Sequence, residues 1–228
     1  MLDNKVRNEL HFKSLLKKNN GYETVAISFL NPFSYYKIDS DDRLKKEIDY
    51  FYIDGSSLVY MYNIFNTRKV DRVSFDFSSI ADDVFNFALL NNLSVCLVGG
   101  TSNESKKALV NLTAQYSKLN LFCIDGYSNH NEILNMVSPF DIIIFGMGCP
   151  LQDNLAVMAK SKYPHNKLIY TCGGFITQTS INTDYYHPII KKLGLRWLQR
   201  FFLHSHVRKR VIIDYPKFFK CYIFDKIK

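Results

Sequence analysis

Short, unbroken apolar runs alternate along this chain with longer stretches whose apolar residues recur every three or four positions. The runs are Thr24-Val-Ala-Ile-Ser-Phe-Leu30, Tyr50-Phe-Tyr-Ile53 and the segments 94–98, 121–124, 141–145 and 167–172. Each has the length of a strand and none alternates apolar with polar, the pattern of strands covered on both faces. Helical spacing fills the gaps, over 56–65, 78–92, 103–117, 131–137 and 151–162. In the second of these, Ile80, Val84, Phe87 and Ala88 fall on one face. A polar helix is expected over 5–20, stopped by Asn19-Asn20-Gly21, and a charged one over 41–48. The pattern predicts an α/β fold: a Rossmann-like, mostly parallel sheet with helices on both faces.

Four successive predicted strands end in glycine: at Gly99-Gly100, at Gly126, at Gly146 and Gly148, and at Gly173-Gly174. In an open parallel sheet these ends share one edge, where such folds bind ligands. Glycine there lets backbone N–H groups approach a ligand closely, and neighbouring helix N-termini favour anions. Glycine also ends strands for reasons of turn geometry alone, so the signal lies in the set. The longest of these turns, Phe145-Gly-Met-Gly-Cys-Pro-Leu-Gln-Asp153, runs straight into the helical pattern at 151–162.

Beyond about residue 184 the pattern changes. Glycine nearly vanishes, and Arg196-Trp-Leu-Gln-Arg-Phe-Phe-Leu-His-Ser-His-Val-Arg-Lys-Arg210 interleaves cations with large apolar groups. We therefore expect an α/β domain over 1–190 and a helical, basic-aromatic appendage over 191–228. The net charge of +8 points to an anionic partner without choosing among nucleotide, nucleic acid and phospholipid. Cations gathered in the tail, rather than striped across the main domain, argue against nucleic acid. The five cysteines show no CxxC spacing, and four lie in or beside apolar runs, as expected of free thiols in a reducing compartment. His204-x-His206 lacks a companion carboxylate or cysteine cluster, so no metal site is expected. Cys149 has no evident His or Asp partner in sequence and is not read as a nucleophile. The N-terminus has no apolar leader, and no run reaches membrane-spanning length.

Asn31, Asp54-Gly55, Arg72 with Asp76, Val98-Gly99-Gly100, Gly126-Tyr127, the 145–153 turn, Gly173-Gly174-Phe175 and Gly194-Leu-Arg-Trp-Leu-Gln-Arg200 occur together in order. In this the chain resembles the WecG/TagA/CpsF family of bacterial glycosyltransferases over residues 22–212. The resemblance implies an inverting transfer of a hexose, often of N-acetylmannosamine type, from a UDP-sugar donor. The implied acceptor is a polyprenyl-diphosphate-linked saccharide at the inner face of the cytoplasmic membrane. It implies no cofactor and no metal, and self-association in some relatives. A nucleotide-binding protein of the same fold without catalysis is the competing expectation. The chain departs from the family at Asp153, where glutamate is usual, at Arg196, and over 176–180 and 203–208.

By that resemblance Asp54 is the catalytic base. Taken alone, an Asp-Gly pair is more often a turn or a helix cap; a strand-end carboxylate on the glycine edge also suits a base that takes a hydroxyl proton. Asn31, Arg72, Asp76, Gly99, Gly100, Gly126, Tyr127, Gly146, Gly148, Pro150, Gln152, Asp153, Gly173 and Gly174 are the expected substrate-binding residues. Pro150 opens the following helix, and Gln152 offers an amide to uracil, ribose or sugar hydroxyls. Arg200, Arg208 and Arg210 are candidates to offset charge on the departing diphosphate. The same tail can attract anionic lipid while Trp197 and the phenylalanines enter the membrane surface, or it can pack its aromatics on the core.

Overall fold

The computed structural model describes residues 2–18, 23–183, 185, 190, 196–203 and 205–227. A 3-10 turn at Leu2–Lys5 leads into α1 (Glu9–Lys18), so the expected first helix is shorter, and its expected stop lies outside the described residues. There follow β1 (Val25–Leu30), α2 (Tyr35–Asp39), α3 (Asp42–Glu47), β2 (Tyr50–Ile53), α4 (Ser56–Phe65) and α5 (Ala81–Leu90). Next come β3 (Val95–Gly99), α6 (Ser102–Gln115), β4 (Leu121–Ile124), α7 (His130–Met136), β5 (Ile142–Gly146), α8 (Leu151–Lys162), β6 (Leu168–Thr171) and α9 (Phe175–Ile181). The tail carries α10 (Arg196–Leu203), α11 (Ser205–Lys209), a π-helical turn at Arg210–Asp214, and α12 (Tyr215–Ile227).

The six strands form one sheet in the order β2-β1-β6-β5-β3-β4, and every pairing is parallel. Successive residues of each strand serve opposite layers, as the two-residue period requires. Ile27, Leu97, Ile144 and Tyr170 face one core with α1, α5, α6 and α9; Ala26, Val98, Phe145 and Ile169 face another with α7 and α8. This double burial is why the strands read as continuous apolar runs. In α5 the buried face is Ala81, Val84, Phe85 and Ala88, with Phe87 only partly buried, which shifts the expected stripe by less than about a quarter of a turn.

After β3 the chain crosses to β4 on one side, and after β5 it crosses to β6 on the other. The loops leaving β3 and β5 therefore part at adjacent strands, the switch point where open α/β sheets form a crevice. Two short helices, α2 and α9, were not legible as helices in the sequence; α2 follows β1 through a short turn, and α9 follows β6 and lines the crevice with Thr177 and Gln178.

The appendage packs onto the body. Phe218 and Tyr222 of α12 are buried in the same cluster as Leu2, Tyr35, Leu58 and Tyr62. Tyr36 Oη donates to Asp225 at 2.7 Å, and Lys226 pairs with Asp3 and donates to Asn66. Among the described residues, no helix is long and apolar enough to cross a membrane.

Candidate active site

The carboxyl edge of the sheet opens into a cavity of about 710 Å³, within the usual size of a small-ligand site. Asp54 enters it from the end of β2. Its backbone N–H donates to Leu30 O at 2.8 Å, which continues the β1–β2 ladder by one residue and fixes where the side chain emerges. Arg72 reaches the same place because Ile53 and Arg72 form an isolated parallel bridge beside β2. Its Nε donates to Asp54 O and its Nη2 to Asp54 Oδ1, both at 2.7 Å. Nη2 also donates to Asp76 Oδ2 at 3.0 Å. Among the described residues Asp54 Oδ2 makes no hydrogen bond, and it is the carboxylate atom left for a ligand.

Asp76 is nearly buried yet fully partnered. The Ser74 hydroxyl donates to Oδ2 at 2.7 Å, Ser78 N donates to Oδ1 at 2.8 Å, and the Ser78 hydroxyl also donates to Oδ1. Burial pushes its pKa up, but the Arg72 guanidinium and the serine donors outweigh this and hold it below the usual range. Burial likewise opposes the charge on Arg72, and the carboxylates of Asp54 and Asp76 more than offset it, so its pKa is raised. The cation between two acids is fixed in its charged state.

Asn31 follows β1 on the cavity wall. Its Oδ1 accepts from Phe33 N at 3.0 Å and Ser34 N at 3.1 Å, an Asx turn that starts α2. Asn31 thus forms a turn and lines the cavity, and its amide NH₂ makes no hydrogen bond among the described residues. Gly55 packs against this turn so closely that an added Cβ would lie 3.1 Å from Pro32 Cδ.

The glycine turns form the opposite wall. Gly100, Gly126, Gly146, Gly148, Gly173 and Gly174 line the cavity, together with Tyr127, Gln152, Arg72 and Asp76. Gly99 lies behind the wall. A Cβ there would stand 2.4 Å from Gly146 O, so glycine is what lets β3 and β5 close up at the switch point. Gln152 has a different task from the one expected. Its Oε1 accepts from Gly148 N and Gly173 N, each at 3.1 Å, and so ties two turns together. Only its NH₂ end remains for a ligand. Pro150 follows a cis peptide and caps α8 rather than opening it, with Leu151 as the first helical residue; it does not line the cavity.

Asp153 is also off the wall, fully buried beneath the turn. Ser28 Oγ donates to its Oδ1 at 2.6 Å, Thr171 Oγ1 donates to Ser28 Oγ at 3.2 Å, and Cys149 supplies a thiol. Its Oδ2 lacks a conventional partner. Burial pushes its pKa up to about 6, against those donors. The carboxylate links the middle of β1, the end of β6 and the 145–153 turn.

From the tail, Arg210 lines the cavity. Arg208 does not; it is exposed, and its Nη1 donates to Phe202 O at 3.2 Å. The side chain of Arg200, together with Gly194 and His204, lies outside the described residues. Among the described residues no group of three His, Cys, Asp or Glu side chains converges. Phe218 and Tyr222 realise the core-packing alternative for the tail aromatics, whereas Trp197, Phe202 and Phe224 stay exposed.

Several wall residues were not anticipated. Thr101 and Glu104 at the start of α6 form a capping box, and the Thr-x-x-Glu spacing after Gly99-Gly100 was a legible sign of it. Phe33, Thr177 and Gln178 reach the cavity from α2's lead-in turn and from α9. No periodicity announces such short elements.

A family model described as the glycosyl transferase WecG/TagA/CpsF family matches residues 5–228, a longer span than the motifs alone suggest. A protein of Shigella boydii, named UDP-Gal:alpha-D-GlcNAc-diphosphoundecaprenol beta-1,4-galactosyltransferase, is 39% identical over all of this chain and 97% of its own length.

Proposed function

The chain belongs to the WecG/TagA/CpsF glycosyltransferase family, and from that premise we propose that it moves a hexose from UDP to a polyprenyl-diphosphate-linked N-acetylhexosamine. The donor named for the similar protein makes galactose, rather than N-acetylmannosamine, the first sugar to test. The observation that carries the reading is Asp54. Its Oδ1 is gripped by Arg72, its Oδ2 makes no hydrogen bond among the described residues, and the residue lines a glycine-edged cavity of nucleotide-sugar dimensions.

The chemistry follows from that arrangement. The acceptor hydroxyl sits at Asp54 Oδ2, and its oxygen attacks the anomeric carbon of the donor. The bond from that carbon to the β-phosphate oxygen breaks, UDP departs with the electron pair, and the hydroxyl proton passes to Asp54. Attack opposite the leaving group inverts the anomeric centre. Nucleotide placement along the glycine turns puts backbone N–H groups beside the diphosphate, where they offset the charge that develops on it. Asn31 and Gln152 each present one amide NH₂ to sugar or ribose hydroxyls. Exposed Trp197, Phe202 and Phe224 on a basic tail favour work at a membrane surface, where a polyprenyl acceptor resides.

The test is UDP release by the full-length chain from UDP-galactose and other UDP-hexoses, with and without an N-acetylglucosaminyl-diphosphate lipid and with and without divalent cation. Acceptor-dependent release from one donor is expected. UDP binding with no transfer to any acceptor would leave a nucleotide-binding protein in its place.

A further inference from the structure

Two cations from distant parts of the chain meet at one aromatic ring on the cavity mouth. Lys37 Nζ, from α2, lies 4.4 Å from the centre of the Phe33 ring, and Arg210 Cζ, from the π-helical turn, lies 3.9 Å from it. Phe33 and Arg210 both line the cavity. Both cations also stand near enough to Cys149 of the glycine turn to draw its thiol's pKa down, against burial and Asp153, which push it up. Each cation gains from the ring face. The two stand within about one Debye length of each other, roughly 8 Å at physiological salt, so they also repel. A divalent anion at the rim of the ring, in reach of both cations, would turn that repulsion into attraction.

We propose that Phe33, Lys37 and Arg210 form a corner that binds the diphosphate of the lipid-linked acceptor, and that Lys37 is a specificity residue for it. The proposal rests on the transfer reaction argued above. Three features favour the acceptor's diphosphate over the donor's. Phe33 belongs to the Asn31–Ser34 turn, whose Pro32 packs on Gly55 beside the base. An acceptor hydroxyl at Asp54 stands one pyranose ring away from its own diphosphate, so the anion must bind close by. The donor's diphosphate has the turns of β3, β5 and β6 to serve it. Finally, Ile212 and Ile213 follow Arg210 and are 63% and 42% exposed, an apolar flank suited to the first isoprene units. Arginine supplies the planar fork and lysine a mobile point charge, a pairing that fits two linked phosphates.

The experiment is calorimetric binding of farnesyl diphosphate in detergent, and separately of UDP, to the full chain and to Lys37→Gln and Phe33→Leu. Lys37 is exposed, so Lys37→Gln leaves the fold intact. The expected result is farnesyl diphosphate affinity lowered about five- to tenfold in both variants with UDP affinity within about twofold of wild type. Loss confined to UDP assigns the corner to the donor and overturns the proposal. Unchanged affinity for both ligands, or a wild-type chain that does not bind farnesyl diphosphate, overturns it too. A wild-type chain that binds both ligands but transfers no sugar sinks the transferase reading and leaves the corner standing.

Discussion

Arg72 holds Asp54 twice, through Nε to the backbone oxygen and through Nη2 to Oδ1, each at 2.7 Å. Two bonds from one planar group fix both the position and the rotation of the carboxylate, leaving Oδ2 directed by elimination. Lysine cannot reproduce this, because it offers a point charge where arginine offers a fork. Arg72→Lys is expected to lower kcat about 10- to 100-fold, while KM for the donor moves less than threefold, a split typical of lost positioning. Steady-state kinetics with UDP-galactose and a lipid-diphosphate acceptor decide it. A rise in donor KM at unchanged kcat would make Arg72 a donor ligand instead.

Asp54→Asn keeps the shape and the Arg72 contact at Oδ1 but cannot take a proton. Loss of a general base costs about 10²- to 10⁴-fold in rate. Turnover should fall by that order while UDP binding, measured by calorimetry, stays near wild type. Turnover within about threefold of wild type would remove Asp54 from the base role.

The strands and most helices were legible because double burial makes every strand but the edge strand β4 a continuous apolar run, and the long helices keep a 3.6-residue period. β2, β4, α4 and α8 begin and end where the pattern puts them. Short helices carry too few turns for a reliable period: α3 and α7 were expected, while α2 and α9 were missed, along with the wall residues Phe33, Thr177 and Gln178. The glycine edge was legible as a set, since parallel strands bring their ends together. What each polar residue does within the 145–153 turn was not. Gln152 and Asp153 are adjacent in sequence, yet one braces two turns at the wall and the other lies buried behind it. That division depends on Ser28 and Thr171, which only the sheet order β1-β6-β5 brings within reach.

The tail's aromatics divide by burial, and substitutions should divide with them. Phe218 is 2% exposed inside the cluster that joins α12 to Tyr35 and Tyr62, so Phe218→Ala should cost about 3–5 kcal/mol. Trp197 and Phe224 are 44% and 58% exposed, so Trp197→Ser with Phe224→Ser should change stability by less than about 1 kcal/mol. The double variant should nevertheless cosediment less with anionic liposomes than wild type does. Thermal melts and cosedimentation, run side by side, check both halves; equal cosedimentation would separate the exposed aromatics from any membrane role.

Asp153 gives the protein a stability term that runs opposite to that of an ordinary salt-bridged acid. Its folded pKa is raised from 3.8 to about 6, because burial disfavours the carboxylate more than Ser28 and Cys149 favour it. Between those values the folded state holds a proton that the unfolded state has lost, so stability falls as pH rises through that window. The full loss above pH 6 is about 3 kcal/mol, from the shift at 1.36 kcal/mol per unit. Asp153→Asn keeps an acceptor for Ser28 and removes the ionisation. The variant should match wild type near pH 4 and exceed it near neutrality, with the gap opening as pH rises. Denaturant titrations of both proteins across that range measure the gap. A difference that stays constant with pH would mean that Asp153 ionises at the same pH folded and unfolded, and that its burial is offset by donors beyond Ser28 and Cys149.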